Sequence, residues 1–261
     1  MAVSLEFDDC VNALYSATER LRGDTVDIPE DSLVPTCPGW TARQLLAHTG
    51  MVHRWAARII RGDDDSVDAD RPTAELEEEG MLADDPGAWL LAGAGDLVHA
   101  LESAPDDLDR PFFLNDAPPA KLAWARRQCH ETTIHAFDGL TARFGGVPTA
   151  AAADVDVDVA VDGIDELLRG FATRRREDLR TTSGSAVSVV VQASDVERSW
   201  TLRLSGEPMV CEEGSTEKKP DARLTGTATQ LYLGLWNRGD EITQEGADVL
   251  TFWRDHLRVE W

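Results

Sequence analysis

Three side chains of this chain, His48, Glu131 and His135, have the types and placement to hold a transition metal. Glu131 and His135 stand four apart in RRQCHETTIHAFD (126–138). A helix turns about 100° per residue, so positions i and i+4 share a face and can reach one cation without backbone strain. The same logic underlies the paired histidines of zinc protease helices. His130 points about 100° away from Glu131 and is a poor third ligand. A third ligand must come from another element, and the candidates are His48, His53, His99 and His256.

His48 lies in CPGWTARQLLAHTGMVHRW (37–55), in a stripe with Leu45, Val52, Trp55 and Ile59. That stripe is the predicted core face of a helix, so His48 is expected to point inward. Facing helices of a bundle build metal sites there. His53 is five residues on, about 140° round the helix, so the two histidines do not reach one metal. His48 is therefore our choice. Together the three would form a two-histidine, one-carboxylate site with open coordination positions. Spacing alone leaves blander readings open. A histidine on an apolar face is more often a hydrogen-bonded core residue. A Glu–His pair at i,i+4 is more often a solvated pair worth a few tenths of a kcal/mol.

The elements that must position these residues follow from turn and cap signals. Apolar residues at Leu5, Val11, Leu14, Tyr15 and Leu21 predict a helix over 5–22, ended by Gly23. After a proline-containing loop, Thr41 as N-cap and Gln44 three residues on form a capping box. Trp40 and Leu45 flank it as a hydrophobic staple. That helix is expected to run to about Arg61, with Gly62 as its stop. Residues 62–80 are acidic and polar and read as a loop. A third helix is predicted over 86–103. Pro118 and Pro119 suit the first turn of a fourth, which runs to Phe144 before Gly145 and Gly146. Residues 149–162 read as a linker. A helix is predicted over 162–180, ending in Arg174–Arg176 as a solvated end. SAVSVVVQA (185–193) and SWTLRLS (199–205) read as strands, EPMVCEEG and DARLTG as two more. Helices over 227–236, with a Thr–Gln capping box, and 247–257 complete the chain.

The expected fold class is α+β, in two domains. Residues 1–148 form a four-helix bundle. Residues 149–261 form a small α/β sandwich with a mostly antiparallel sheet. A formal net charge of −23 argues against nucleic acid and anionic membranes as partners, since both repel it. No apolar run reaches the roughly 20 residues that span a bilayer. The N-terminus MAVSLEFDDC lacks the basic region of a signal peptide, so a cytoplasmic location is expected. Cys10, Cys37, Cys129 and Cys211 form no CxxC pair and read as free thiols, mostly small core residues.

Two motifs carry a resemblance. P-T-C-P-G-W-T-x-R-x-L-L-A-H (35–48), followed by H-E-x-x-x-H-x-x-D (130–138), resembles the mycothiol-dependent maleylpyruvate isomerase family. DARLTGTATQLYLGLWNR (221–238) is similar to that family's C-terminal domain, so the resemblance covers nearly the whole chain. It implies a DinB-like metal-binding bundle followed by a domain resembling sterol-carrier folds. It implies a divalent metal, commonly zinc, on His48, Glu131 and His135, with water in the remaining positions. Mycothiol, a low-molecular-weight thiol of actinobacteria, would be the cosubstrate. Arg238, after the Leu-Trp of the third motif, would help bind an anionic substrate. Asp138, one helical turn beyond His135, has two readings, an acceptor for a ligand histidine's other N–H or a surface residue. The chain departs from the family's H-R-W-D, having His135-Ala136-Phe137-Asp138 instead.

The implied chemistry is thiol activation. A free thiol has a pKa near 8.5, and a bound cation removes its proton. Addition of the thiolate to an activated double bond makes a single bond that can rotate, and elimination returns the other isomer. Without elimination the outcome is S-transfer. The alternative is a metal-containing small-ligand-binding protein without catalysis. A hydrolase using metal-bound hydroxide is a third reading, for which no general base stands out.

Overall fold

The computed structural model describes residues 5–63, 72–174, 179–181, 185–216 and 218–257. The chain divides into two compact units. One comprises Leu5–Phe113 and Ala117–Pro148, and the other takes Leu114–Asp116 with Thr149–Trp261. Among the described residues no helix is long and apolar enough to cross a membrane.

The first unit is helical. Its elements are α1 (Phe7–Thr25), α2 (Ala42–Arg61), α3 (Pro72–Leu82), α4 (Pro86–Ser103) and α5 (Ala120–Phe144). α1 packs on α5 and α4, and α2 packs on α4, α3 and α5. Caps fix the boundaries of α2. Thr41 has extended backbone, and its side chain accepts from the Gln44 N–H at 3.3 Å. The Gln44 side chain in turn accepts from the Thr41 N–H at 2.9 Å. At the far end Gly62 takes φ +82°, and its N–H bonds the Arg58 and Ile59 carbonyls. Thr41→Ala removes one half of this box and is expected to cost about 1 kcal/mol. Urea denaturation reads that change; an unaltered midpoint would show the cap to be idle.

Two expectations in this unit need correction. Residues 72–80, read as loop, lie in α3, while residues 64–71 of that segment lie outside the described residues. α3 is acidic, and Leu76 is its one fully buried large apolar side chain, so the sequence carries little helical periodicity there. α1 does not stop at Gly23 but continues to Thr25. Glycine inside a helix costs only about 1 kcal/mol, and the Thr25 hydroxyl donates to the Leu21 carbonyl at 2.8 Å beyond it.

The second unit is α+β. A 3-10 turn (Ala150–Ala153) precedes α6 (Val157–Asp165), which runs on as a π-helical stretch, Glu166–Phe171. Then follow β1 (Val187–Ala193), β2 (Ser199–Leu204), β3 (Val210–Glu213), β4 (Ala222–Gly226), α7 (Ala228–Leu235), β5 (Thr243–Gly246) and α8 (Leu250–His256). The sheet order is β3-β2-β1-β4-β5. Every pairing is antiparallel except β1 with β4. Central β1 is buried at Val189, Val190 and Val191, hence its unbroken run of valine. The segment read as a linker is thus partly helical. Its Asp–Val alternation hides α6, which starts where the Asp156 side chain accepts from the Asp158 N–H at 2.8 Å. The helix expected over 162–180 begins earlier and ends at Phe171. Arg174 is exposed, and Arg175 and Arg176 lie outside the described residues.

Candidate metal centre

α2 and α5 carry the three chosen residues into the interior of the first unit. The Glu131 Oε1 lies 3.1 Å from His135 Nε2 and 3.7 Å from His48 Nε2. Their ligand atoms all fall within 4.8 Å of one another, and each residue is buried. The His48 and His135 rings meet edge to face, 5.2 Å between centroids. Half-buried Trp40 packs against both, at 4.8 Å from His48 and 6.1 Å from His135. Trp40 stands there because the loop before α2 folds back on itself. The Val34 N–H bonds the Trp40 carbonyl, the Trp40 N–H bonds the Cys37 carbonyl, and Gly39 supplies the φ of +88°.

The same loop builds an outer shell with α5. Fully buried Asp138 accepts hydrogen bonds from this loop and from its own helix. Thr36 donates at 2.5 Å to one oxygen, and Cys37 at 3.2 Å and His135 Nδ1 at 2.9 Å donate to the other. A carboxylate at Nδ1 fixes that nitrogen as the protonated one and turns Nε2 towards Glu131 and His48. On the far side of Glu131, Arg127 Nη2 donates to Oε2 at 2.9 Å.

These contacts set the charges. Burial opposes ionisation of Glu131. The hydrogen bond from His135 and the nearby His48 imidazole, with the charges of His135 and Arg127, overcome it and hold the carboxyl well below its usual range. Burial likewise opposes charge on His135, but hydrogen bonds to Asp138, Cys37 and Glu131 raise it well above an ordinary histidine. His48 is pushed down by burial, only partly offset by the Glu131 carboxylate 3.7 Å away. Neutral imidazole is the ligating form. Two imidazole nitrogens and one carboxylate oxygen, converging in a buried space, suit a divalent transition metal.

The remaining histidines do not join the cluster. His53 Nε2 lies 2.9 Å from the Thr132 hydroxyl, which itself donates to the Gln128 carbonyl at 2.7 Å. His53 Nε2–H is therefore the donor. Burial, with the nearby Arg54 charge, pushes its pKa down to about 3, so the ring is a neutral core histidine. His130 is buried outside the group, and His99 and His256 are exposed. Arg238 follows α7 in the second unit, where its Nη1 donates to the Trp236 carbonyl at 3.1 Å. All four cysteines are free thiols.

Sequence reasoning missed Arg127, Thr36 and the part played by Cys37. Arg127 and Glu131 stand at i,i+4, so the spacing was visible. An arginine in a polar stretch reads as surface, and only tertiary burial makes it part of the site. Thr36 and Cys37 lie about a hundred positions from Asp138, with nothing local to pair them.

The solved structures that the chain matches include those of the mycothiol-dependent maleylpyruvate isomerase and of a histidine-to-alanine variant of it. Each has 14% identity and a TM-score of 0.59, over 92% of this chain and 93% of the other. At that identity the likeness shows the fold. No curated protein matches. Residues 11–138 match the mycothiol maleylpyruvate isomerase N-terminal domain. Residues 158–250 match the MDMPI C-terminal domain. The first match contains His48, Glu131, His135 and Asp138, and the second contains Arg238. Carrying both domains in order, the chain belongs to the mycothiol maleylpyruvate isomerase family.

Proposed function

We propose that this protein is a mycothiol-dependent isomerase of the maleylpyruvate type, working at a divalent cation, zinc by preference, held by His48, Glu131 and His135. The observation that carries the reading is the convergence of those three ligand atoms inside the segment that matches the family's N-terminal domain. When bound, the cation would hold a thiol as thiolate at neutral pH.

The chain's own residues prepare that event. Asp138 holds Nδ1 as the protonated nitrogen, so Nε2 faces the cluster and is the nitrogen that gives up its proton to a bound cation. Burial keeps His48 neutral and ready to donate its lone pair. Trp40 packs against both rings and limits their tilt. Three protein ligands leave positions for the thiol, which would then add to an activated double bond of the substrate. Rotation and elimination give isomerisation; retention of the new bond gives S-transfer. The substrate decides between these outcomes, and one site serves both.

Arg238 is assigned, on its motif, to the anionic end of the substrate. Arg238→Ala is expected to raise KM for an anionic substrate about tenfold, with metal content unchanged. Steady-state kinetics on metal-loaded protein check this, and an unaltered KM removes the assignment.

Metal analysis, thiol titration and an isomerisation assay test the main reading together. The expected result is one cation per chain and maleylpyruvate conversion only when mycothiol is present. Turnover without thiol, or full activity after the metal is stripped, would overturn it.

A further inference from the structure

Glu131 divides its two oxygens. Oε1 faces the imidazoles of His135 and His48, at 3.1 and 3.7 Å. Oε2 takes the Arg127 guanidinium at 2.9 Å. Arg127 is fully buried. A guanidinium keeps its charge in any environment, and a buried charge of this kind requires a partner. One turn of α5 supplies both members of the pair, so the contact needs no help from loops.

We infer that Arg127 is a positioning residue that keeps the metal centre open to an anionic ligand, by holding Glu131 to a single available oxygen. This rests on the metal-centre reading above. With Oε2 bound to Arg127, Glu131 offers only Oε1, and three protein atoms face the cation. Released, the same carboxylate could turn and offer both oxygens, taking a position the thiol needs.

Charge points the same way. Arg127 and Glu131 cancel, and Asp138 adds one negative charge. A divalent cation would turn that balance to one net positive charge, with the histidines neutral. A monoanion such as a thiolate restores neutrality, which a low-dielectric interior favours. Without Arg127 the site would be neutral before any thiolate arrived, and the thiolate would leave it negative.

The test uses the full chain loaded with cobalt(II), whose visible bands report coordination. Chelator competition gives cobalt affinity. 2-Mercaptoethanol is titrated at fixed pH, and the thiolate-to-cobalt charge-transfer band gives thiol affinity. Arg127→Met is expected to retain cobalt at least as tightly as the parent, while needing about 10- to 100-fold more thiol, the range typical of residues that orient metal ligands. Arg127→Lys, which keeps the charge, is expected to recover most of the parent's thiol affinity. Parent-like thiol binding in Arg127→Met overturns the inference. So does loss of cobalt from Arg127→Met, which would make Arg127 a support of the ligand shell alone. Should Arg127→Met not fold, Arg127→Gln carries the same comparison with the same two overturning results. A parent protein that binds no cobalt fails the metal-centre reading itself, which separates the two failures.

Discussion

His48→Ala is expected to strip the protein of its cation while the bundle stays folded. Structural zinc sites bind with about 10–16 kcal/mol over four ligands, or about 2.5–4 kcal/mol for each. Losing one ligand should therefore weaken binding by roughly 100- to 1,000-fold. His48 is the cleanest of the three positions to change. Its removal orphans no buried charge, because Glu131 keeps Arg127 and His135. Glu131→Ala, by contrast, leaves the Arg127 guanidinium buried without its carboxylate, at a cost of about 3–5 kcal/mol. Glu131→Gln is the better variant there. Elemental analysis of purified His48→Ala, with circular dichroism as the folding control, checks the expectation. Full metal occupancy in that variant would sink the ligand assignment.

Asp138→Asn is expected to have the next largest effect without touching a ligand. The carboxylate accepts from Thr36, Cys37 and His135. An amide has one acceptor oxygen and turns an NH2 towards at least one of these donors. Metal affinity should fall about 10- to 100-fold as His135 loses its orientation. Stability should fall by about 3 kcal/mol as buried donors go unmet.

A pH signature accompanies the change in metal-free protein. His135 has a raised pKa in the fold, so its contribution is fully present below its unfolded pKa and is lost as pH rises through the folded value. Asp138 is the strongest of the groups raising it. In Asp138→Asn that loss should therefore be smaller, and complete at lower pH, than in the parent. Urea denaturation across neutral to alkaline pH measures it, and superimposable profiles would show that Asp138 does not govern the ring.

Where the sequence contained local chemistry, the fold was legible. Thr41, Gln44 and Gly62 marked α2, and Pro119 and Gly145 marked α5, so the two ligand-bearing helices could be placed from caps alone. Where tertiary packing decides, it was not. α3 shows little apolar periodicity. β5 is the four residues Thr243–Gly246, short and polar, and is a strand only because it pairs along β4. The candidate site divides in the same way. Glu131 and His135 share a face by arithmetic. Their meeting with His48 depends on how α2 docks on α5, which no spacing encodes, and the motif resemblance supplied that link. The guanidinium behind Glu131 needed the packed structure.

The two sides of the cluster also differ in chain address. His48 and Glu131 are separated by roughly eighty residues, with α3 and α4 between them. A cation gripped by both would act as a covalent staple does, closing a long loop that the unfolded chain leaves open. Folding and metal uptake then become one linked equilibrium. At free metal about a hundredfold above Kd, the folded state gains about 2.7 kcal/mol. Chelator should accordingly lower the melting temperature of the parent protein and leave that of His48→Ala where it was. The cofactor would be a fastener of the bundle as much as a reagent within it.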